Sequence, residues 1–119
     1  MSKFLMVFRG SLAEEMEFPP EKMQAYMQEW MTWIDAMKSK DIYLGGEPLQ
    51  PDGCTISGAD KVVTDGPYAE AKDLVGGYVL IKADNLDIAK TEALNCPIYQ
   101  ANGSVEVREV MLMDEHMPS

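Results

Sequence analysis

The clearest pattern in the chain is a helical stripe of apolar residues that follows two consecutive prolines. The stripe consists of Met23, Met27, Trp30, Ile34 and Met37. Its members are spaced by four, three, four and three positions, which places them on one face of a helix. The intervening residues are largely polar. The pattern predicts an amphipathic helix over residues 21–39, with proline and glutamate well placed at its start.

Several extended runs predict strands around this helix. Residues 4–8 and 74–81 are apolar at consecutive positions, which is typical of strands buried on both faces. A further strand is predicted to begin at residues 42–44, and a last one spans 104–113. Short runs at 54–56 and 61–64 predict a β-hairpin. Asn85 can cap a second helix over residues 86–95, which Pro97 prevents from continuing.

The order of these elements predicts the fold. A β-α-β unit, a hairpin and a second β-α-β unit indicate an α+β protein with a ferredoxin-like sheet, both helices on one face, and an added β-hairpin. We expect one domain over residues 1–119. Two helices cover only one sheet face, and a large uncovered apolar face is unfavourable in a monomer. We therefore predict a homodimer that stacks its open sheet faces as a dimeric α+β barrel.

Composition indicates which binding partners, cofactors and cellular locations are expected. The net charge of −10 and the pI near 4.4 disfavour direct binding to nucleic acid. The two cysteines lie far apart and the chain has one histidine, so we predict neither a metal site nor a cofactor. No signal peptide or membrane-spanning run is recognised, which indicates a reduced, soluble, cytoplasmic protein. The ten methionines can fill the core or line an adaptable pocket.

A sharp bend at Asp65-Gly66-Pro67 carries the candidate chemistry. Gly66 is free to adopt unusual backbone angles and Pro67 restricts its own, so the bend presents a carboxylate on a rigid loop. Asp65 is a candidate general base, or it caps the turn. Glu70 is a second catalytic candidate, because a nearby lysine could tune its proton affinity. Alternatively, Glu70 and Lys72 form a solvated surface pair.

Three further residues are candidates for substrate binding. Arg9 ends an apolar strand and could clamp a substrate carboxylate through two hydrogen bonds. It could equally pair with Glu14 or Glu15, or reach water. Lys72 could steady negative charge, and Tyr68 could offer its hydroxyl to a ligand or pack at a rim.

Several spaced motifs resemble the YCII-related family, and specifically its branch with an Asp-Gly-Pro-Phe motif. The matching segments are Asp65-Gly66-Pro67-Tyr68, Glu70-Ala71-Lys72-Asp73, Gly76-Gly77-Tyr78, Cys96-Pro97 and Val105-Glu106-Val107-Arg108. The resemblance runs from about Phe4 to Val110 and implies the ferredoxin-like fold and the dimer. Some relatives carry a His–Asp pair suspected of acid–base work, and the wider family includes a lyase-type activity. The only histidine here, His116 in the tail, does not match that pair.

The residues and the resemblance together leave three hypotheses. The first is a small cofactor-independent enzyme with an acid/base pocket and lyase- or isomerase-type chemistry. The second is a non-catalytic binding or regulatory module, because genes of this branch often lie beside those of extracytoplasmic-function sigma factors, which implies a sigma factor as partner. The third is a structural subunit whose role is its dimer. The first is preferred, because ionisable residues gather at the bend.

Overall fold

The computed structural model describes residues 1–66 and 70–113. The strands in chain order are β1 Ser2–Arg9, β2 Tyr43–Pro48, β3 Cys54–Ser57, β4 Val62–Asp65, β5 Val75–Ala83 and β6 Ser104–Glu109. The helices are α1 Leu12–Met16, α2 Pro20–Ser39 and α3 Leu86–Leu94. Two short 3₁₀ segments cover Ala71–Asp73 and Pro97–Ala101.

Four of the strands form one antiparallel sheet in the order β2-β5-β1-β6. This order, with α2 between β1 and β2 and α3 between β5 and β6, is that of a ferredoxin-like fold and confirms the predicted class. Strands β3 and β4 form a separate two-stranded hairpin, inserted between β2 and β5. The added hairpin was also predicted.

Alternation along β1 shows how the sheet divides its two faces. Phe4, Met6 and Phe8 are buried beneath the helices, whereas Leu5 and Val7 are half-buried on the opposite face. Strand β5 alternates in the same way. One face of the sheet is therefore buried in the core beneath the helices. The other face is a partly exposed apolar surface, although β1 and β5 are apolar at consecutive positions.

The core is centred on aromatic contacts between β1 and α2. The Phe8 ring centroid lies 5.1 Å from that of Trp30 and 6.1 Å from that of Trp33, both in edge-to-face geometry. The Trp33 indole N–H donates to the backbone carbonyl of Glu92 on α3 over 3.0 Å. The carboxylate of buried Glu92 also pairs with the Lys40 ammonium at 2.5 Å. These contacts tie the two long helices to each other and to the sheet.

Three elements differ most from the prediction. Helix α1 occupies a segment for which no element was predicted, and a hydrogen bond from the Tyr26 hydroxyl to the Glu15 carboxylate ties it to α2. Strand β2 continues through Gly46, because a Cβ there would lie 2.6 Å from the Tyr78 carbonyl oxygen and glycine alone permits this approach. Strand β6 ends at Glu109 rather than Met113. The predicted cap of α3 is present, since Asn85 Oδ1 accepts from the Ile88 N–H at 2.9 Å.

Candidate functional site

A cavity of about 400 Å³ lies between α2 and the β2–β5 part of the sheet. Its walls are mainly apolar and aromatic, and they include Phe8, Met23, Met27, Trp30, Leu74 and Val79. A volume of this size, with few polar groups, is typical of small-molecule sites. The cavity is therefore the candidate functional site.

Apolar residues of α2 lie both in the core and around the cavity. Trp33 and Met37 are buried in the core. Met27 and Met31 remain 53% and 51% exposed, although both line the cavity. The apolar surface of α2 is thus wider than the part that the sheet covers, and methionines form the mouth of the cavity. Both roles predicted for methionine occur on this helix, since Met37 fills the core and Met27 and Met31 line the cavity.

One polar pair in the cavity joins α1 to α2. The Tyr26 hydroxyl donates to Glu15 Oε2 over 2.6 Å, and both residues line the cavity. Burial, and secondly the hydrogen bond to Glu15, raise the pKa of Tyr26 well above its usual value. Tyr26 is therefore neutral throughout the physiological pH range. It keeps its proton and donates it in a hydrogen bond to the Glu15 carboxylate.

A second tyrosine–carboxylate pair lies on the opposite face of the sheet. Glu47 on β2 and Tyr78 on β5 are cross-strand partners, and the Tyr78 hydroxyl donates to Glu47 Oε2 over 3.3 Å. Tyr78 also pairs with Val7, which lies on the sheet face away from the helices, so both side chains belong to that face. Tyr43, which lines the cavity, has a raised pKa because of burial, then because of Tyr78 and Glu47. The cavity between α2 and the sheet therefore presents one tyrosine–carboxylate pair, Tyr26–Glu15. Within the described part of the chain, its lining contains no lysine, arginine or histidine.

The predicted site residues that the structure describes lie outside the lining of this cavity. Arg9 donates to the Asp73 carbonyl oxygen at 3.1 Å and pairs with Glu106 at 3.2 Å, rather than with Glu14 or Glu15. Glu70 and Lys72 form a solvent-exposed ion pair at 3.7 Å. Asp65 is exposed at the end of β4, and its side chain makes no hydrogen bond to the described residues. Tyr68 and His116 fall outside the described ranges.

The segment that carries Glu70 and Lys72 nevertheless adjoins the cavity. The Gly10 N–H donates to the Leu74 carbonyl at 3.1 Å, so this segment is fastened to the end of β1. Leu74 and Val75, which follow directly, line the cavity. The structure therefore brings Arg9 to the 71–73 turn and places both beside the cavity rather than within it.

Neither Glu15 nor Tyr26 was among the predicted site residues. Glu15 lies in a segment for which no element was predicted, so no periodicity indicates its direction. Tyr26 lies beside the predicted helical stripe rather than within it. Their contact spans eleven positions and depends on how α1 folds back on α2. A tyrosine beside an apolar stripe is the one sequence signal that could have suggested a buried polar contact.

The two cysteines lie outside the lining of the cavity. Cys96 is buried, and burial raises the pKa of its thiol to about 12. Its thiolate is therefore scarce at neutral pH. Cys54 is exposed on the β3–β4 hairpin, away from the cavity lining. Among residues 1–66 and 70–113, no group of three or more histidine, cysteine or acidic side chains could hold a metal ion.

Fold and site together define a ferredoxin-like α+β protein with a ligand-sized cavity between its long helix and its sheet. The family model described as the YCII-related domain matches residues 4–114. The chain belongs to the YCII-related family, as its motifs predicted. Its assignment to the Asp-Gly-Pro-Phe branch stays a prediction.

The other comparisons show the following. No curated protein matches the sequence. One similar solved structure is 5-chloro-2-hydroxyhydroquinone dehydrochlorinase from Burkholderia phenoliruptrix AC1100, in complex with 2,5-dihydroxybenzoquinone. It is 15% identical, covers 95% of this chain and 97% of its own length, and gives a TM-score of 0.49. Over the described ranges, no helix has both the length and the apolar character needed to cross a membrane.

Proposed function

We propose that the protein binds a small organic molecule in the cavity between α2 and the sheet. The observation that carries this proposal is the lining of a space of about 400 Å³, where aromatic and methionine side chains surround the Tyr26–Glu15 pair. Apolar walls supply affinity through burial, and a few placed polar groups orient the ligand.

We further propose that any proton transfer is carried by Glu15, supported by Tyr26. A carboxylate has acceptor positions on both oxygens, so the bond from Tyr26 leaves Glu15 able to accept from a ligand. Tyr26 would then stabilise the ionised carboxylate and fix its orientation. This arrangement supports the cofactor-independent, acid/base chemistry expected of an enzyme-like member. Asp65 and Glu70 remain candidates, but both side chains are exposed to solvent, whereas Glu15 is half-buried in the lining of the cavity.

Blocking the mouth of the cavity should abolish ligand binding. We expect Met27→Trp to weaken binding of aromatic fragments at least tenfold, because the larger side chain fills space now open to the ligand. Saturation-transfer NMR or calorimetry with a fragment panel measures this. Gln24→Trp is the matched control, since Gln24 is exposed on the same helix and does not line the cavity.

Two results would contradict the proposal. The first is fragment binding that survives Met27→Trp with unchanged affinity. The second is binding that Glu70→Gln abolishes while Met27→Trp leaves it intact, which would place the site at the exposed 70–72 segment instead.

We also propose that two copies pair through the open sheet face. Leu5, Val7, Tyr78 and Leu80 are half-buried at the centre of this face. Charged residues border them, including Arg9, which pairs with Glu106 from the adjacent strand. An apolar centre within a charged border supports a specific interface.

A charge placed at the centre of this face should separate the two copies. We expect sedimentation to show a dimer for the unaltered protein at micromolar concentration and a monomer for Leu5→Glu, because the dimer would bury the new carboxylate without a partner. Leu94→Glu is the control, since Leu94 is 63% exposed on α3. An unaltered protein that sediments as a monomer at high concentration would show the pairing to be wrong.

A further inference from the structure

We infer that Met27 and Met31 form a site of reversible oxidation at the mouth of the cavity. Oxidation of these thioethers to sulfoxides by hydrogen peroxide weakens the binding of an apolar ligand. The effect on binding rests on the proposed function, whereas the oxidation is a separate property of α2. The inference is carried by the exposure of the two side chains, by their position at the mouth and by the apolar character of the lining.

Three methionines form a ridge along α2, one at every fourth position. This methionine ridge consists of Met23, Met27 and Met31, and all three residues line the cavity. Residues four apart lie on the same face of a helix, so the ridge borders the cavity over about two turns. Met27 and Met31 are each about half exposed, which leaves their side chains open to a peroxide in solution.

Two methionines of the core are protected from the same reagent. Met6 and Met37 are fully buried. Because a protein interior is densely packed, a peroxide reaches these thioethers only when the core opens. The pairing proposed for the open sheet face would leave the methionine ridge in solvent, since α2 covers the opposite face. Exposure therefore directs oxidation to Met27 and Met31 rather than to the core.

The chemical step is a two-electron oxidation of the thioether. The sulfur attacks one oxygen of hydrogen peroxide, so that an S–O bond forms and the O–O bond breaks. The sulfur loses two electrons, and the other peroxide oxygen leaves as hydroxide. This hydroxide takes up the proton that the new S–OH group releases, which gives water and methionine sulfoxide. Methionine sulfoxide reductases return the product to the thioether, and a thiol supplies the electrons.

A sulfoxide is unfavourable beside this lining. It turns a flexible apolar side chain into a polar one, whose oxygen accepts hydrogen bonds. The Tyr26 hydroxyl cannot serve that oxygen, because its hydrogen is directed to Glu15. The sulfoxide would therefore hold water at the mouth, and an apolar ligand would have to displace this water without replacing its hydrogen bonds.

Peptide mapping by mass spectrometry after brief treatment with hydrogen peroxide tests the site itself. We expect sulfoxide to form at Met27 and Met31 at least tenfold faster than at Met6 and Met37, since oxidation of the core requires it to open. This measurement needs no ligand.

Calorimetry with indole, a neutral aromatic probe, tests the effect on the cavity. The oxidised protein should bind indole roughly tenfold more weakly, the scale of a polar group left unpaired against an apolar surface. Treatment with the two methionine sulfoxide reductases, one for each sulfoxide epimer, should restore the affinity.

Substitutions then assign the loss of affinity to the methionine ridge. Met27→Leu combined with Met31→Leu keeps apolar side chains of similar volume that peroxide does not oxidise. Its affinity for indole is compared before and after peroxide, and the two values should agree. Met16→Leu combined with Met111→Leu is the matched control, because both residues are exposed methionines outside the lining. The control should lose affinity on oxidation as the unaltered protein does.

Four outcomes would contradict the inference. Oxidation of Met6 and Met37 as fast as of Met27 and Met31 would remove the selective site. Selective oxidation with unchanged indole binding would remove the effect on the cavity, and the proposed function would stand if Met27→Trp still abolished that binding. A loss that persists in the double leucine variant of the ridge would place its cause at other methionines. An unaltered protein that does not bind indole would contradict the proposed function and the effect on binding together, while the peptide map decides the oxidation site separately.

Discussion

Replacing Phe8 with alanine is expected to lower the free energy of unfolding by about 3–5 kcal/mol, the range for deleting a buried aromatic side chain. Phe8 is 6% exposed. Its ring contacts both Trp30 and Trp33, and so joins the central strand to the long helix. Its loss would leave a void between the layers that the surrounding rings cannot fill without leaving their rotamers. Urea unfolding followed by circular dichroism measures the change.

Leu94→Ala is the matched control for Phe8→Ala. Leu94 is also apolar but lies largely in solvent, so its truncation should change stability by no more than about 0.5 kcal/mol. A Phe8→Ala protein that unfolds within about 1 kcal/mol of the unaltered protein would contradict the packing described here.

Replacing Gly10 with alanine is expected to destabilise the protein by roughly 3 kcal/mol, through two separate causes. Gly10 has a φ of +78°, a left-handed conformation that costs other residues about 1–2 kcal/mol. A Cβ at this position would also lie 2.6 Å from the Lys72 carbonyl oxygen. Because the obstacle is backbone, the 70–74 segment would have to move, at a further cost of about 1–3 kcal/mol.

Gly58→Ala separates these two causes. Gly58 has the same φ of +78°, but no atom of the described residues lies within 4 Å of the Cβ that alanine would add. Its substitution should therefore cost only the conformational part, about 1–2 kcal/mol. Equal losses of stability in the two variants, measured by thermal or urea unfolding, would show that Gly10 and Lys72 do not approach as closely as described.

Much of the fold could be predicted because its determinants are local. The spacing of apolar residues in α2 and the Asn85 cap of α3 each operate within a few positions, and both predictions agree with the structure. Helix α1 was missed because five residues contain too little periodicity to identify a helix. The extension of β2 through Gly45 and Gly46 was missed because glycine weakens the interior of a strand and often marks a bulge.

The candidate site was harder to predict, because its members come from distant parts of the chain. Sequence proximity drew attention to Asp65, Glu70 and Lys72, whose side chains are each exposed. The cavity instead combines α1, α2, β2 and β5. Glu15 lies eleven positions before Tyr26 and on a different helix, and no local pattern relates them. The roles of Asp65 and Glu70, and a sigma factor as partner, stay predictions.

The sequence by itself determined the order of the strands and of the two longer helices, and the family to which the chain belongs. Those properties follow from side-chain periodicity and turn chemistry, which act over a few residues. Only the tertiary structure decided which sheet face the helices bury, that α2 leaves part of its apolar surface uncovered, and that the Tyr26–Glu15 pair meets the resulting space. A cavity arises from the mismatch between two packed layers, and that mismatch depends on contacts between residues far apart in the chain.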